Sequence, residues 1–132
     1  MGRAPYLLDT HVLVGALTEP ERLSRKSRNA LESWDSKLVA SAVSAHELSN
    51  KRRIGKITHL EGLFTGYEKH VLALVSDQIP ITAQHALEAG RLAWNHRDPF
   101  DRLLAAQALV EGFTLVTADP VFSALDGLDI LW

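Results

Sequence analysis

The sequence predicts an α/β domain built on a parallel sheet, and three observations carry this. Five short apolar runs (Pro5–Leu8, Lys37–Ala40, Gln78–Ile81, Phe113–Val116 and Asp129–Trp132) have strand length rather than helix length. Segments with helical spacing or capping signals separate them, and strands alternating with helices imply parallel crossovers. The chain has 132 residues with no repeat, low-complexity tract or Pro/Gly/Ser linker. One core commonly serves about 100–200 residues, so a single domain over residues 1–132 is expected.

The elements follow in order. The first run ends at Asp9, placing a carboxylate at the C-terminal end of a buried strand. His11–Leu17 is a short helix stopped near Pro20. Leu23–Trp34 is charged with periodic apolar positions, the pattern of a surface helix. Ser44-Ala45-His46-Glu47 matches the capping box S-x-x-E. A helix is therefore predicted to start at Ser44, run through Arg53 and end near Gly55. Another helix is predicted between Thr58 and Val75. Thr82 caps a helix with Ala83, Ala86, Leu87, Gly90, Ala93 and Trp94 on one face, small enough for close approach to the sheet. Asp98-Pro99-Phe100-Asp101 offers an N-cap, a proline at the first helical position and an acid in the first turn. Leu103–Val110 is apolar nearly all round, as in a buried helix, and Gly112 ends it. The strand Phe113–Val116 leads into Thr117-Ala118-Asp119-Pro120; a short helix and a last strand close the chain.

Composition removes several classes. Apolar residues make up 46% and charged residues 23%, which excludes a disordered chain. There is no Cys, which excludes a disulfide scaffold, thiol catalysis and Cys-based zinc or iron–sulfur sites. No run approaches the roughly 18 apolar residues that span a bilayer, and Asp9 and His11 interrupt the N-terminal apolar stretch, a poor signal peptide. A soluble, cytoplasmic protein is expected. The formal net charge of -2 lacks the basic footprint of a non-specific nucleic-acid binder.

The acids are more informative. In open parallel sheets, ligands bind outside the C-terminal strand ends. Asp9 follows the first strand, Glu47 lies in the helix after the second, Asp98 and Asp101 open a later helix, and Asp119 follows the fourth strand. These five positions face one edge. Each alone has a bland explanation as a helix cap or first-turn acid. Asp9 is the exception: it interrupts Leu7-Leu8 and Val12-Leu13-Val14, where burial is costly unless it is paired or metal-bound. Carboxylates gathered so closely raise one another's pKa or recruit a cation. Hard oxygen donors suit Mg²⁺ or Mn²⁺ rather than zinc. One or two such ions activate water and stabilise a leaving oxygen, so the cluster serves phosphodiester cleavage.

Other motifs fail. His46-Glu47-Leu48-Ser49-Asn50 begins like a zinc-protease signature, but Asn50 replaces the second His. Gly55-Lys56 is followed by Ile57 and is no phosphate-binding loop; there is no G-x-G-x-x-G and no G-x-S-x-G. His96 lies beside the acids, but a lone His is more often an ordinary hydrogen-bonded residue, and the same holds for His11. Trp34, Trp94 and Trp132 fit packing better than base stacking.

The order Leu8-Asp9-Thr10, Ser44-x-x-Glu47-Leu48, His96-Arg97-Asp98-Pro99-Phe100-Asp101-Arg102 and Thr117-Ala118-Asp119 resembles the PIN-domain ribonucleases. The similarity extends to the toxin half of VapBC-type toxin–antitoxin pairs and covers essentially the whole chain. It implies a five-stranded parallel sheet flanked by helices, with Mg²⁺ or Mn²⁺ held by acids. Asp9, Glu47, Asp101 and Asp119 match the family's acidic quartet, as catalytic and metal-holding residues, and Asp98 matches a further acid of the subgroup. Thr10, Ser44 and Thr117 would donate hydrogen bonds that orient the carboxylates. The function implied is an endoribonuclease with an RNA substrate, a cognate antitoxin and a homodimeric state. Arg97, Arg102 and the run Lys51-Arg52-Arg53, Arg52 included, would contact RNA phosphates; a solvated helix face explains that run equally well.

Two other readings fit the same residues. A receiver-like signalling domain shares the acidic Mg²⁺ pocket, but would need an acid pair after the first strand and a late Lys. A non-catalytic interaction module would use the acids only as caps and would bind no Mn²⁺. With five acids assigned to one site, 11 acids remain against 14 bases, so the -2 averages an acidic crevice with a mildly basic surround. RNA binding should then need metal and weaken with salt.

Overall fold

The computed structural model describes residues 4–132. Its sheet has five strands, all parallel, in the order β3-β2-β1-β4-β5: β1 Tyr6–Leu8, β2 Leu38–Ser41, β3 Asp77–Ile79, β4 Thr114–Val116 and β5 Ile130–Leu131. Seven α-helices stand among the described residues: α1 Thr10–Thr18, α2 Arg25–Glu32, α3 Ala42–Arg53, α4 Glu61–Phe64, α5 Tyr67–Leu74, α6 Ala83–Arg91 and α7 Pro99–Glu111. Two 3-10 turns, Pro20–Arg22 and Pro120–Ala124, complete the chain. None of the helices is long and apolar enough to cross a membrane.

Strand alternation sets the two faces. Leu7, Val39 and Leu115 point one way, onto Leu104, Ala105 and Ala108 of α7 and onto Phe122. Leu8, Leu38, Ala40 and Val116 point the other way, onto Val12 and Leu13 of α1 and Val71 of α5. The pairing Tyr6↔Thr114, Leu7↔Leu115, Leu8↔Val116 keeps each set in register, because a one-residue slip would turn every side chain to the wrong face. Phe122 is fully buried among Leu7, Leu104 and Leu115. Phe122→Ala is expected to cost about 3–5 kcal/mol through the cavity it leaves, read as a fall in the denaturation midpoint.

The strand order excludes the receiver alternative. That fold reads 2-1-3-4-5, whereas here the first two crossovers run one way and the later ones run the other. The reversal lies between β1 and β4, which makes the crevice outside their C-terminal ends the place for a ligand.

Several local expectations need correction. The helix predicted from Ser44 begins at Ala42, and its cap is Ser41, whose Oγ accepts from the Val43 N–H at 3.1 Å. Strand β2 runs straight into α3 with no connecting residue, so the S-x-x-E match has no free turn to cap. Ser44 and Glu47 instead lie on the buried face of α3 with Val43 and Leu48. The helix expected across residues 58–75 is two helices, broken at Gly66, whose φ of 72° is the left-handed conformation that glycine takes without steric cost. On α6 the predicted inner face is outside: Ala83, Ala86, Leu87 and Gly90 are exposed, and Ala93 and Trp94 lie beyond the helix end. The buried pair is His85 and Ala89. The Thr82 cap is present, with His85 as its partner: the His85 N–H donates to Thr82 Oγ1 at 3.2 Å and the Thr82 N–H donates to His85 Nδ1 at 3.0 Å. Trp34 does not pack but is 96% exposed, whereas Trp94 packs against Phe122 at 5.6 Å between ring centroids.

Candidate metal centre

Asp9 sits where β1 turns into α1, beside the reversal of strand order. It occupies the N-cap position, yet its side chain makes no cap hydrogen bond. Its Oδ2 accepts instead from Thr117 Oγ1 at 2.7 Å, across from the end of β4. The same hydroxyl accepts from the Asp119 N–H at 3.1 Å, so one Thr ties both strand ends together. Asp9 is 3% exposed. Burial pushes its carboxyl up to about 6; the Thr117 bond and nearby His11 oppose this, and the charges of Asp101 and Glu47 add to it.

Glu47 reaches the crevice from the buried face of α3 and is 4% exposed. Its Oε2 accepts from Lys51 Nζ at 2.7 Å, one helical turn on. Its Oε1 is buried without a partner. Asp101, in the first turn of α7, has its carboxyl raised by burial; His96 opposes this through its hydrogen bond, and Asp98 and Glu47 add to it. Asp98 is the N-cap expected, its Oδ1 accepting from the Phe100 and Asp101 N–H groups at 2.8 and 3.1 Å. Asp101 Oδ2 lies 2.6 Å from His96 Nε2.

The five acids are therefore brought to one edge but not to one point. Asp9, Glu47 and Asp101 feel one another's charge; Asp98 acts on Asp101. Asp119 is exposed, its Oδ1 accepts from the Val121 N–H at 3.0 Å, and among the described residues it is linked to Asp9 through Thr117. Among the described residues, the donor atoms that converge within 4.8 Å of one another belong to His96, Asp98 and Asp101. His96 is the residue the sequence undervalued. Its place directly before Arg97-Asp98 was the available signal.

Of the three hydroxyls expected to orient carboxylates, Thr117 does so. Thr10 and Ser44 bond each other at 2.9 Å, both buried, and so join α1 to α3 rather than holding an acid directly. Thr117→Val is expected to weaken Mn²⁺ binding by about 10–100-fold, measured by titration calorimetry, because the hydroxyl that fixes Asp9 and favours its charged form is gone.

The basic residues divide as well. The Arg102 guanidinium is engaged within the chain: its Nε and both Nη atoms donate to the carbonyls of Ala89, Leu92, Trp94 and His96 at 2.7–2.9 Å. Only a planar fork matches four carbonyls converging this way, and the result pins the loop before α7. Arg52 is paired with Glu61 and stacks 4.6 Å over Phe64, and Arg53 donates to Asn50 at 2.6 Å. Arg97 is exposed with no ion pair among the described residues. Alongside the acids, a groove of about 570 Å³ is lined by Thr10, His11, Leu48 and Lys51 and reaches Trp132.

Comparison with known proteins agrees with this architecture. The model of the PIN domain matches residues 6–128. Among solved structures, the chain is similar to VapBC2 from Rickettsia felis bound to a DNA fragment from their promoter, at 21% identity over 96% of each chain with a TM-score of 0.70. It is similar to DNA-bound VapBC from Salmonella typhimurium, at 18% identity over 98% of each chain with a TM-score of 0.74. It is also similar to VapBC-5 from Mycobacterium tuberculosis, a member of the VapBC family of toxin-antitoxin systems, at 21% identity over 98% of each chain with a TM-score of 0.59. Comparison with curated protein sequences finds no match. The matched span takes in every strand end and helix start that carries one of the five acids, and the chain belongs to the PIN domain family.

Proposed function

We propose that the chain is a divalent-metal-dependent endoribonuclease, one catalytic domain over residues 1–132, and the toxin of a toxin–antitoxin pair. The observation that carries the catalytic half is Glu47 Oε1, a buried carboxylate oxygen without a partner, set among two further acids whose carboxyls are pushed upward. Holding three acids this way costs stability unless a cation balances them. The carboxylate oxygens fit Mg²⁺ or Mn²⁺, and their desolvated, mutually repelling arrangement is the state that such an ion relieves.

Asp9, Glu47 and Asp101 would hold the ion, with Asp98 and Asp119 completing the set directly or through water. An ion held there would supply an activated water and stabilise charge on the phosphate and leaving oxygens. Thr117 holds Asp9 in one orientation, and the Thr10–Ser44 bond keeps α1 and α3, hence Asp9 and Glu47, at a constant spacing. Lys51 holds Glu47 Oε2, which leaves Oε1 for the ion. Arg97 is the base best placed for an RNA phosphate, being exposed and unpaired beside Asp98; Arg52 would have to leave Glu61 to do so.

The toxin half rests on the likeness to VapBC structures. An antitoxin segment would lie in the groove beside Thr10 and Lys51, where it would block the crevice, and the toxin would act in the cytoplasm as a homodimer. The test is cleavage of RNA by the purified protein with Mg²⁺ or Mn²⁺, compared with Asp9→Asn and Asp101→Asn. Cleavage should need the ion and vanish in both variants; undiminished cleavage by both would overturn the assignment. A short DNA-binding protein that co-purifies and inhibits cleavage is expected for the toxin role.

A further inference from the structure

An all-oxygen site was expected from the acids, yet the three donor residues that converge among the described residues include an imidazole. A His96 ring nitrogen, an Asp98 oxygen and an Asp101 oxygen lie within 4.8 Å of one another. His96 is not a loose surface ring. Its carbonyl accepts from Arg102 Nη1 at 2.9 Å, its ring lies 4.9 Å from that of Trp94, and its Nε2 points at Asp101 Oδ2 from 2.6 Å. Trp94 is itself anchored on the buried Phe122. The Arg102 and Trp94 contacts thus preorganise the residue, and a bound ion would take the place of the proton between Nε2 and Asp101. Asp98 holds the helix start through Oδ1 alone, which leaves its second oxygen free of hydrogen bonds among the described residues. Glu47 adds an independent sign of a cation: its buried Oε1 has no partner, and its charge reaches Asp101.

We propose that His96 is a direct nitrogen ligand of the divalent ion, beside Asp98 and Asp101, and that it tilts this site toward Mn²⁺ over Mg²⁺. Mg²⁺ is hard and prefers oxygen, whereas affinity for nitrogen donors rises along the first-row divalent series that begins with Mn²⁺. One imidazole in an otherwise carboxylate set is enough to separate the two. The competing role is that His96 only orients Asp101 through a hydrogen bond. The inference rests on the metal-dependent reading above, and its test separates the two failures.

The experiment loads the full chain with Mn²⁺ and looks for ¹⁴N coupling to the ion by pulsed electron paramagnetic resonance, with Mn²⁺ and Mg²⁺ affinities measured in parallel by calorimetry. The variants are His96→Gln, which keeps an N–H able to reach Asp101, and Asp101→Asn. The wild type should show imidazole coupling. His96→Gln should lose it, and its Mn²⁺ affinity should fall by about tenfold or more while its Mg²⁺ affinity changes little. Mn²⁺ binding without nitrogen coupling, or full retention of the Mn²⁺ preference in His96→Gln, would overturn the ligand role and leave the nuclease reading intact. No Mn²⁺ binding by the wild type would overturn both.

Discussion

Asp9→Asn is expected to abolish RNA cleavage while making the metal-free protein more stable. The two effects have one cause. Burial lifts the Asp9 carboxyl from its ordinary 3.8 to about 6. The folded state therefore holds this proton more tightly than the unfolded state. At pH below about 4 the group is neutral in both states and contributes nothing. As pH rises from about 4 to about 6 the unfolded chain ionises first, so stability falls. Above about 6 the full cost is present, on the order of 3 kcal/mol at 1.36 kcal/mol per pKa unit. An amide at this position removes that cost and still accepts from Thr117. Thermal denaturation at neutral pH in chelator should thus favour Asp9→Asn, with the advantage shrinking below pH 6.

Metal reverses the order. Binding requires the carboxylate, so Mn²⁺ affinity of the wild type should weaken as pH drops below about 6, with a proton released on binding. Mn²⁺ should stabilise the wild type and leave Asp9→Asn nearly unmoved. Loss of an outer hydrogen-bond partner typically costs about 10–100-fold at such sites, so losing Asp9 itself should cost more than about 100-fold in cleavage rate. A metal-free stabilisation without any metal effect would instead support the interaction-module reading, in which the acids are only caps.

Arg102→Ala is expected to be the most destabilising surface-proximal change, at about 3–5 kcal/mol. It strips a charged donor from the carbonyls of Ala89, Leu92, Trp94 and His96 together. The denaturation midpoint should drop by about 10–20 °C. Arg102→Lys should recover little, because an ammonium cannot span the four carbonyls. A phosphate-contacting Arg would behave in the opposite way: the Lys variant would keep most function and neither variant would unfold the protein. Metal affinity should fall in both Arg102 variants, since the clamp sets the position of His96 and of the loop entering α7.

The elements were legible wherever a local rule acts alone. Asp98-Pro99 starts α7 through a cap and a proline, and Gly112 ends it with a φ of 74°. The five short apolar runs each overlap an observed strand. Local rules failed where two signals competed. The S-x-x-E match pointed to Ser44, but β2 runs directly into α3 and the cap is Ser41. Leu87 marked one side of α6 as apolar, but packing against α7 buries His85 and Ala89 instead. A buried His whose Nδ1 is engaged by its own capping box is invisible to a hydrophobicity pattern.

The sequence by itself determined the fold class, the acids and their sharing of one sheet edge. Those follow from periodicity and from the rule that parallel strands end on one side. Only the tertiary structure decided how the acids divide. Contact across 108 positions of chain, from Thr117 to Asp9, has no local signature. The same is true of Arg102, whose charge favoured a phosphate on paper and whose geometry commits it to four carbonyls. His96 joined the site for that reason too: its value lies in the atoms that converge on it, which no spacing along the chain records.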